Sequence, residues 1–212
     1  MMSRILYLGL KIPKALYRQA IHCPIIKIAP RAFFEPDIIQ AFSRFSDYTH
    51  LILTSQTAVQ LFLEAAIFFQ INADVINTKK IVAVGKKTAA ELAKHRFSAD
   101  FVPLEETAEG IRDLFANWDR TSLYVFWPHS ALSRPLLTDY WKQNGIKHTD
   151  CVLYDTFTNH EVTLPDLSTI DEIVFTSPST VDAFLERYYH IPRDKKLTSI
   201  GPVTAARLVK SL

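Results

Sequence analysis

The feature that most constrains this chain is a strand–turn–helix unit that occurs twice. Residues 51–64 read LILTSQTAVQLFLE and residues 173–186 read IVFTSPSTVDAFLE. Each copy begins with an apolar run typical of a buried strand, continues with Thr-Ser, and ends with apolar residues at helical spacing. Each copy is followed by a second segment, and these two also resemble each other: KIVAVGKKTAAELAK at 80–94 and KLTSIGPVTAARLVK at 196–210. Two ordered matches indicate an internal duplication, and therefore two similar α/β domains.

The first copy lies within a complete set of alternating elements. Strand patterns occur at 51–55, 81–85, 99–103, 123–128 and 151–156, and helical patterns at 57–69, 88–95, 107–118 and 132–144. Alternation of this kind predicts a parallel sheet with helices on both faces. We therefore predict a continuous α/β domain at residues 33–156.

The second copy has only two strand patterns before residue 212, and about 40 residues rarely form a stable core alone. The missing strands are expected at 4–9 and 24–28, on either side of a short helical stretch near 13–21. We therefore predict a discontinuous domain made of residues 1–29 and 160–212. The chain would cross twice between the domains, and the ligand is expected in the cleft between them.

Composition excludes several classes of protein. Among 212 residues, 48% are hydrophobic and the net charge is only +2, so nothing attracts the whole chain to nucleic acid or to an acidic membrane. No apolar run approaches the roughly 20 residues that span a bilayer, and the N-terminus is too short for a signal peptide. A cytoplasmic protein is expected. Cys23 and Cys151 have no metal-binding spacing and are predicted to be reduced, partly buried thiols.

The four turns of the repeat, at 54–57, 85–88, 176–179 and 201–204, are the candidate binding elements. In open parallel sheets, ligands bind outside the carboxyl ends of the strands, where helix N-termini favour anions. Four such turns indicate a ligand with several negative groups. The alternative is that these hydroxyl groups only cap their helices. Lys86 could meet an acidic group or be solvated.

Motifs of several other site types are absent from the sequence. Gly85-Lys86-Lys87-Thr88 resembles the tail of a P-loop, but Lys80 stands where the upstream glycine is required. No G-x-G-x-x-G, nucleophile elbow or pair of catalytic carboxylates is present. Tyr154 at the end of a predicted strand could reach a ligand or be a half-buried packing residue. His129 could face the cleft or lie on the surface near a helix cap.

The ordered motifs resemble the uroporphyrinogen-III synthase family. The strongest segments are IVFTSPS at 173–179, IGPVTA at 200–205 and VLYDT at 152–156. The resemblance covers nearly the whole chain and implies two flavodoxin-like lobes with parallel sheets, one lobe discontinuous, joined by a two-segment connector. The family usually adds a further strand and helix, so the discontinuous lobe is C-terminally short for the family.

The resemblance implies cyclisation of hydroxymethylbilane to uroporphyrinogen III, with inversion of the last pyrrole ring and loss of water. It implies no cofactor, no metal, and a monomer that binds neither nucleic acid nor membrane. The tetrapyrrole substrate carries eight carboxylates, and the task is largely to hold its ends together. Tyr154 matches the residue that assists departure of the hydroxyl. The implied substrate-binding residues are Thr54, Ser55, Gly85, Lys86 and Thr88 in one lobe and Ser177, Ser179, Gly201, Val203 and Thr204 in the other.

Some positions depart from the family pattern. Gly9-Leu10-Lys11 replaces the Thr-Arg-Pro that often follows the first strand, and Gln56 stands where proline is common. A second hypothesis is therefore a non-catalytic bilobed binding protein for an acidic ligand, a degenerate synthase. A receiver-like signalling module is disfavoured because the first strand ends Tyr7-Leu8-Gly9, without a pair of aspartates.

Overall fold

The structure is a computed structural model that describes residues 4–116 and 118–212. Residues 1–3 of the predicted discontinuous domain, and Asn117 of the helix predicted at 107–118, lie outside the described residues. The chain divides into two compact units, one of Met1–Ala29 with Thr156–Leu212 and the other of Pro30–Asp155.

Short strands alternate with helices along most of the chain. The strands are β1 (Ile5–Tyr7), β2 (Ala20–His22), β3 (Ile26–Pro30), β4 (His50–Leu53), β5 (Lys80–Ala83), β6 (Tyr124–Ser130), β7 (Lys147–Thr158), β8 (Glu172–Phe175) and β9 (Lys196–Ser199). The helices are α1 (Pro36–Ser43), α2 (Gln56–Phe68), α3 (Ala73–Asn77), α4 (Lys86–Lys94), α5 (Ala108–Phe115), α6 (Leu136–Gln143), α7 (Pro178–Tyr188) and α8 (Pro202–Val209). Within the described residues, none of these helices is long and apolar enough to cross a bilayer.

A five-stranded sheet has the order β3-β7-β6-β4-β5, and its strands β6, β4 and β5, with most of β7, belong to the larger unit. Strand β4 pairs in parallel with β5 and β6, and β6 pairs in parallel with β7. Leu51, Ile52 and Leu53 of β4 are fully buried. Burial on both faces explains why this strand reads as a continuous apolar run rather than as an alternating pattern.

Strands β3 and β7 carry the chain between the two units. The N–H of Arg31 donates to the carbonyl of Leu153 at 2.8 Å, and the N–H of Asn159 donates to the carbonyl of Ile25 at 2.7 Å. Because residue numbers rise along one segment as they fall along the other, the two segments run antiparallel. A side-chain pair adds to this ladder, since Nε of Arg31 lies 2.9 Å from the Asp155 carboxylate.

The smaller unit is built on a four-stranded sheet with the order β2-β1-β8-β9, in which all neighbouring strands are parallel. Strand β1 lies between β2 and β8, so Leu6 is opposite Ile173 across the ladder. Leu6, Phe175 and Phe184 pack in the core of this sheet and its helices. The α/β class with two parallel-rich sheets, predicted from the sequence, is confirmed.

Three elements differ from the sequence prediction. Of the strand predicted at 24–28, only residues 26–28 form a strand, and they belong to β3 of the five-stranded sheet. Strand β2 supplies the second N-terminal strand of the four-stranded sheet. The helical stretch predicted near 13–21 is a single 3₁₀ turn, Lys14–Leu16. Residues 99–103 form one bridge, between Val82 and Phe101, instead of a strand. There the Asp100 carboxylate accepts the N–H of Ile81 at 2.8 Å, so a side chain replaces part of the backbone ladder.

An ion pair between Glu109 in the first turn of α5 and Arg134 gives a testable pH dependence. Two guanidinium nitrogens bind the two carboxylate oxygens at 2.6 and 2.8 Å. Arg134 lowers the pKa of Glu109 from 4.5 to about 2, so the stability that the pair adds is present above pH 4.5 and is lost as the pH falls towards 2.

We expect Glu109→Gln to lower the free energy of unfolding at pH 7 by about 1 kcal/mol, because partial exposure screens the pair. The difference from wild type should shrink as the pH approaches 2. Chemical denaturation over this pH range measures the free energy of unfolding of wild type and variant. Asp113→Asn, which removes an exposed ion pair with Arg112, is the control. A difference in unfolding free energy that does not change with pH would contradict the lowered pKa of Glu109.

Candidate functional site

The predicted site residues of the larger unit lie at the carboxyl edge of the five-stranded sheet, the edge where its parallel strands end. Thr54 and Ser55 follow β4 and precede α2, and Gly85 follows the neighbouring β5 and precedes α4. Ser130, the last residue of β6, is opposite Tyr154 of β7. The parallel register therefore brings together side chains that are far apart in sequence.

Tyr154 is the candidate proton donor at this edge. Its side chain is buried, with 6% of the residue exposed, and its hydroxyl lies 2.9 Å from Oγ of Ser55. Burial raises the pKa of the phenol, whereas hydrogen bonding to Ser55 and then to Ser130 opposes that increase. The phenol is therefore protonated at neutral pH and has hydroxyl groups beside it. Tyr154 is more deeply buried than the half-buried packing residue that the sequence left as the alternative.

Ser55 and Thr54 both have structural partners. Ser55 is the N-cap of α2, and its Oγ accepts the N–H of Ala58 at 2.9 Å. Oγ1 of Thr54 accepts the indole N–H of Trp127 at 3.3 Å. The family resemblance implied that both hydroxyls bind a ligand, with helix capping as the alternative, and the structure gives each hydroxyl a protein partner. The links to Trp127 and Ser130 were not found from the sequence, because both depend on strand register.

The α4 turn places its residues in different environments. Thr88 is buried, and Lys86 is exposed to solvent. A methyl group added to Gly85 would lie 2.2 Å from a carboxylate oxygen of Glu106, so this side chain fills the space beside the glycine. A carboxylate is favourable near a helix N-terminus. Glu106 would have to move before a ligand carboxylate occupied the same space.

His129 is buried, neither on the surface nor near a helix cap. Its Nδ1 lies 2.8 Å from the carbonyl of Ser130, which assigns the proton to Nδ1. The ring stacks on Trp127 with 4.0 Å between centroids. Its Nε2 lies 3.9 Å from the carboxylate of Asp150, beyond hydrogen-bond distance. His129 is therefore a buried residue of β6 whose ring packs on Trp127 of the same strand.

In the smaller unit, the predicted site residues lie at the N-termini of α7 and α8. Ser177 caps α7 by accepting the N–H of Thr180, and Thr180 returns a bond to the backbone of Ser177. The hydroxyls of Ser177 and Ser179 are 2.8 Å apart. Strands β8 and β9 are parallel neighbours, so both helix N-termini lie at one edge of this sheet.

The α8 turn is the more open of the two. Gly201 is exposed and precedes Pro202, the first residue of α8, while Thr204 is buried and Val203 is half-buried. Gly201 has φ of +84° and ψ of 159°, a conformation that is essentially restricted to glycine. The exposed backbone of this turn leaves it accessible to a ligand.

The chemistry available at these two edges is that of hydroxyl groups, backbone N–H groups and the buried phenol of Tyr154. Within residues 4–116 and 118–212, no three His, Cys, Asp or Glu side chains form a metal-binding group. Cys23 and Cys151 are both buried free thiols, and burial raises the pKa of Cys151 to about 12. Each edge is suited to binding anions, and the edge of the larger unit is also suited to donating a proton.

These features define a protein with two α/β units, each presenting helix N-termini at the carboxyl edge of a parallel sheet. The family model for uroporphyrinogen-III synthase HemD matches residues 13–211. The chain therefore belongs to the uroporphyrinogen-III synthase family.

Curated relatives share this assignment at low sequence identity. The chain is 24% identical over 196 residues to "Porphyrin biosynthesis protein HemD" of Ruminiclostridium josui, a match that covers 88% of this chain and 38% of the relative. It is 27% identical over 180 residues to "Putative uroporphyrinogen-III synthase" of Methanothermobacter thermautotrophicus, covering 78% of this chain and 70% of the relative. The chain thus spans well under half the length of the first of these proteins.

Solved structures of similar fold carry the same family name. A mutant uroporphyrinogen III synthase from Thermus thermophilus matches with a TM-score of 0.67 and 15% identity, covering 98% of this chain and 88% of that one. Uroporphyrinogen-III synthetase from Helicobacter pylori matches with a TM-score of 0.62 and 19% identity, covering 99% and 89%. At these identities the structural likeness establishes the fold.

The backbone at Gly201 gives a prediction about stability. We expect Gly201→Ala to lower the free energy of unfolding by about 1–3 kcal/mol, because the added Cβ is strained at this φ and ψ. Gly145→Asn is the control, since Gly145 has φ of +65°, a left-handed conformation that asparagine tolerates. Equal losses in the two variants, measured by denaturant unfolding, would argue against backbone strain at Gly201.

Proposed function

We propose that this chain cyclises hydroxymethylbilane to uroporphyrinogen III, inverting the last pyrrole ring. The observation that carries the proposal is the buried, protonated phenol of Tyr154 at the carboxyl edge of a parallel sheet in a member of this family. The reaction removes water from a hydroxymethyl group, and departure of hydroxide is slow without a proton donor. Tyr154 has the protonation state that this step needs.

In the proposed step, the phenol O–H of Tyr154 gives its proton to the hydroxymethyl oxygen. The carbon–oxygen bond breaks with its electron pair on oxygen, and water leaves. The methylene cation that remains is conjugated with its pyrrole and is attacked by the bridge-bearing α-carbon of the last ring, giving a spiro intermediate. The bond between that α-carbon and its original methylene bridge then breaks, and the freed methylene carbon bonds to the other α-carbon of the last ring, which inverts the ring. The proton released when the product ring becomes aromatic again restores the phenol. The reaction as written requires no cofactor or metal.

Helix N-termini supply the proposed binding sites for the carboxylates of the substrate. Each unit contributes two such turns, and a helix N-terminus binds carboxylates through its free N–H groups and its dipole. The proposed substrate-binding residues are Thr54, Ser55, Gly85, Lys86, Thr88, Ser177, Ser179, Gly201, Val203 and Thr204. We further propose that the protein acts as a monomer in the cytoplasm.

The direct test is an assay with hydroxymethylbilane in which uroporphyrinogen isomers are separated. Without enzyme, cyclisation gives the isomer whose last ring is not inverted. The proposal predicts that the inverted isomer forms in proportion to added protein. Saturable binding of the tetrapyrrole without formation of the inverted isomer would instead support a non-catalytic binding protein.

Removing one oxygen atom tests Tyr154. Tyr154→Phe should lower kcat about 10²-fold, because a positioned proton donor is lost. Stability should stay within about 1–2 kcal/mol of wild type, since the hydroxyl loses its bonds to Ser55 and Ser130 while the ring still packs. The product should remain the inverted isomer.

Tyr124→Phe is the control for this experiment, because it also removes one phenol oxygen from a buried tyrosine of the same sheet. The hydroxyl of Tyr124 contacts Thr149 at 3.2 Å, and Tyr124 begins β6, at the opposite end of that strand from Ser130. We expect it to keep wild-type turnover. Unchanged turnover in Tyr154→Phe would show that Tyr154 is a packing residue.

A further inference from the structure

Ser55 occupies a position that serves two elements at once. Its Oγ lies 2.9 Å from the N–H of Ala58, which it caps, and 2.9 Å from the hydroxyl of Tyr154. The cap fixes the side-chain rotamer, because Oγ must point back at the first turn of α2 to accept that N–H. The helix cap therefore holds the serine oxygen in place beside the phenol.

Counting hydrogen-bond partners favours one direction for the hydrogen bond between Ser55 and Tyr154. A serine hydroxyl has one proton to donate and two lone pairs that accept. The N–H of Ala58 uses one lone pair of Ser55, so the proton of Ser55 needs an acceptor elsewhere. Within the described part of the chain, Tyr154 is the other hydrogen-bond partner of this hydroxyl. Donation from Ser55 to the phenol oxygen gives the serine proton an acceptor within the protein, whereas the reverse leaves that proton to the solvent that this half-buried residue reaches.

We propose that Ser55 is a positioning residue that donates to the phenol oxygen of Tyr154 and thereby directs the phenol proton away from the protein. The proposal rests on the proposed function, in which Tyr154 protonates the leaving hydroxyl. Once that proton has left, the hydroxyl of Ser55 remains as a donor to the phenolate oxygen. Ser55 thus acts on the reaction through Tyr154, and this role replaces the direct contact with substrate proposed for Ser55 above.

Ser130 adds a second hydroxyl on the same phenol. It ends β6 directly opposite Tyr154, and its Oγ accepts the N–H of Leu132 at 3.2 Å. Ser130 therefore resembles Ser55: its oxygen accepts a backbone N–H, and its own proton can be donated to the phenol oxygen of Tyr154. Hydrogen bonding to both serines lowers the pKa of Tyr154, against the increase caused by burial.

The test separates the loss of the hydroxyl from the loss of the helix cap. Ser55→Gly removes the hydroxyl but leaves a residue that N-caps helices almost as well as serine. Ser55→Thr keeps the hydroxyl and should restore the function. Thr107→Ala is the matched control for cap loss, because Thr107 caps α5 through Gly110 in the same unit.

Two measurements are made on each variant. We expect Ser55→Gly to lower kcat about 10-fold with KM within about 2-fold of wild type, because the contribution of the proton donor weakens while substrate binding remains. The pKa of Tyr154, followed by NMR of ¹³C-labelled tyrosine with the signal assigned by Tyr154→Phe, should rise. Ser55→Thr should have kcat and a Tyr154 pKa near those of wild type. Thr107→Ala should lower stability without changing kcat or the pKa of Tyr154.

The outcomes distinguish this proposal from the proposed function. An unchanged pKa of Tyr154 in Ser55→Gly overturns the positioning role, whether or not the protein turns over substrate. A change confined to KM also overturns it and makes Ser55 a substrate contact. Absence of the inverted isomer with the wild-type protein defeats the proposed function itself.

Discussion

The smaller unit depends on the parallel pairing of β1 with β8, which joins the two ends of the chain. Without β1, strands β8 and β9 and their two helices would be too small to bury a core. The pairing is reinforced where it begins, since Asp171 binds the N–H of Arg4 through its carboxylate at 2.8 Å and donates its own N–H to the carbonyl of Arg4. The entropy cost of bringing β1 and β8 together grows only slowly with the length of chain between them. The burial of apolar residues around this sheet can therefore offset that cost.

Both sheets place functional groups by the same physical rule. Because all strands of a parallel sheet end at one edge, the residues that follow neighbouring strands become neighbours, whatever their separation in sequence. Short turns then lead directly into helices whose N-terminal N–H groups face that edge. In the larger unit this arrangement brings the cap of α2 to a phenol two strands away in the sheet.

Hydroxyl groups at these helix N-termini do not have a single role. Ser177 is engaged in a reciprocal capping box, so its oxygen mainly satisfies the first turn of α7. Ser55 caps α2 and also contacts Tyr154, so the same residue type at the repeated position has acquired an additional partner. The two similar segments therefore have equivalent caps, and of these two serines only Ser55 lies beside the buried phenol of Tyr154.

The sequence by itself determined the duplication, the α/β class and the turns at which the helices begin, because apolar runs, caps and turn residues act locally. It did not determine that residues 24–28 leave the four-stranded sheet or that residues 99–103 form only a bridge, because these outcomes depend on competition among distant partners. The contact between Ser55 and Tyr154 joins residues 99 positions apart. Only the tertiary structure decided it, since the register of β4, β6 and β7 sets which side chains meet at the edge of the sheet.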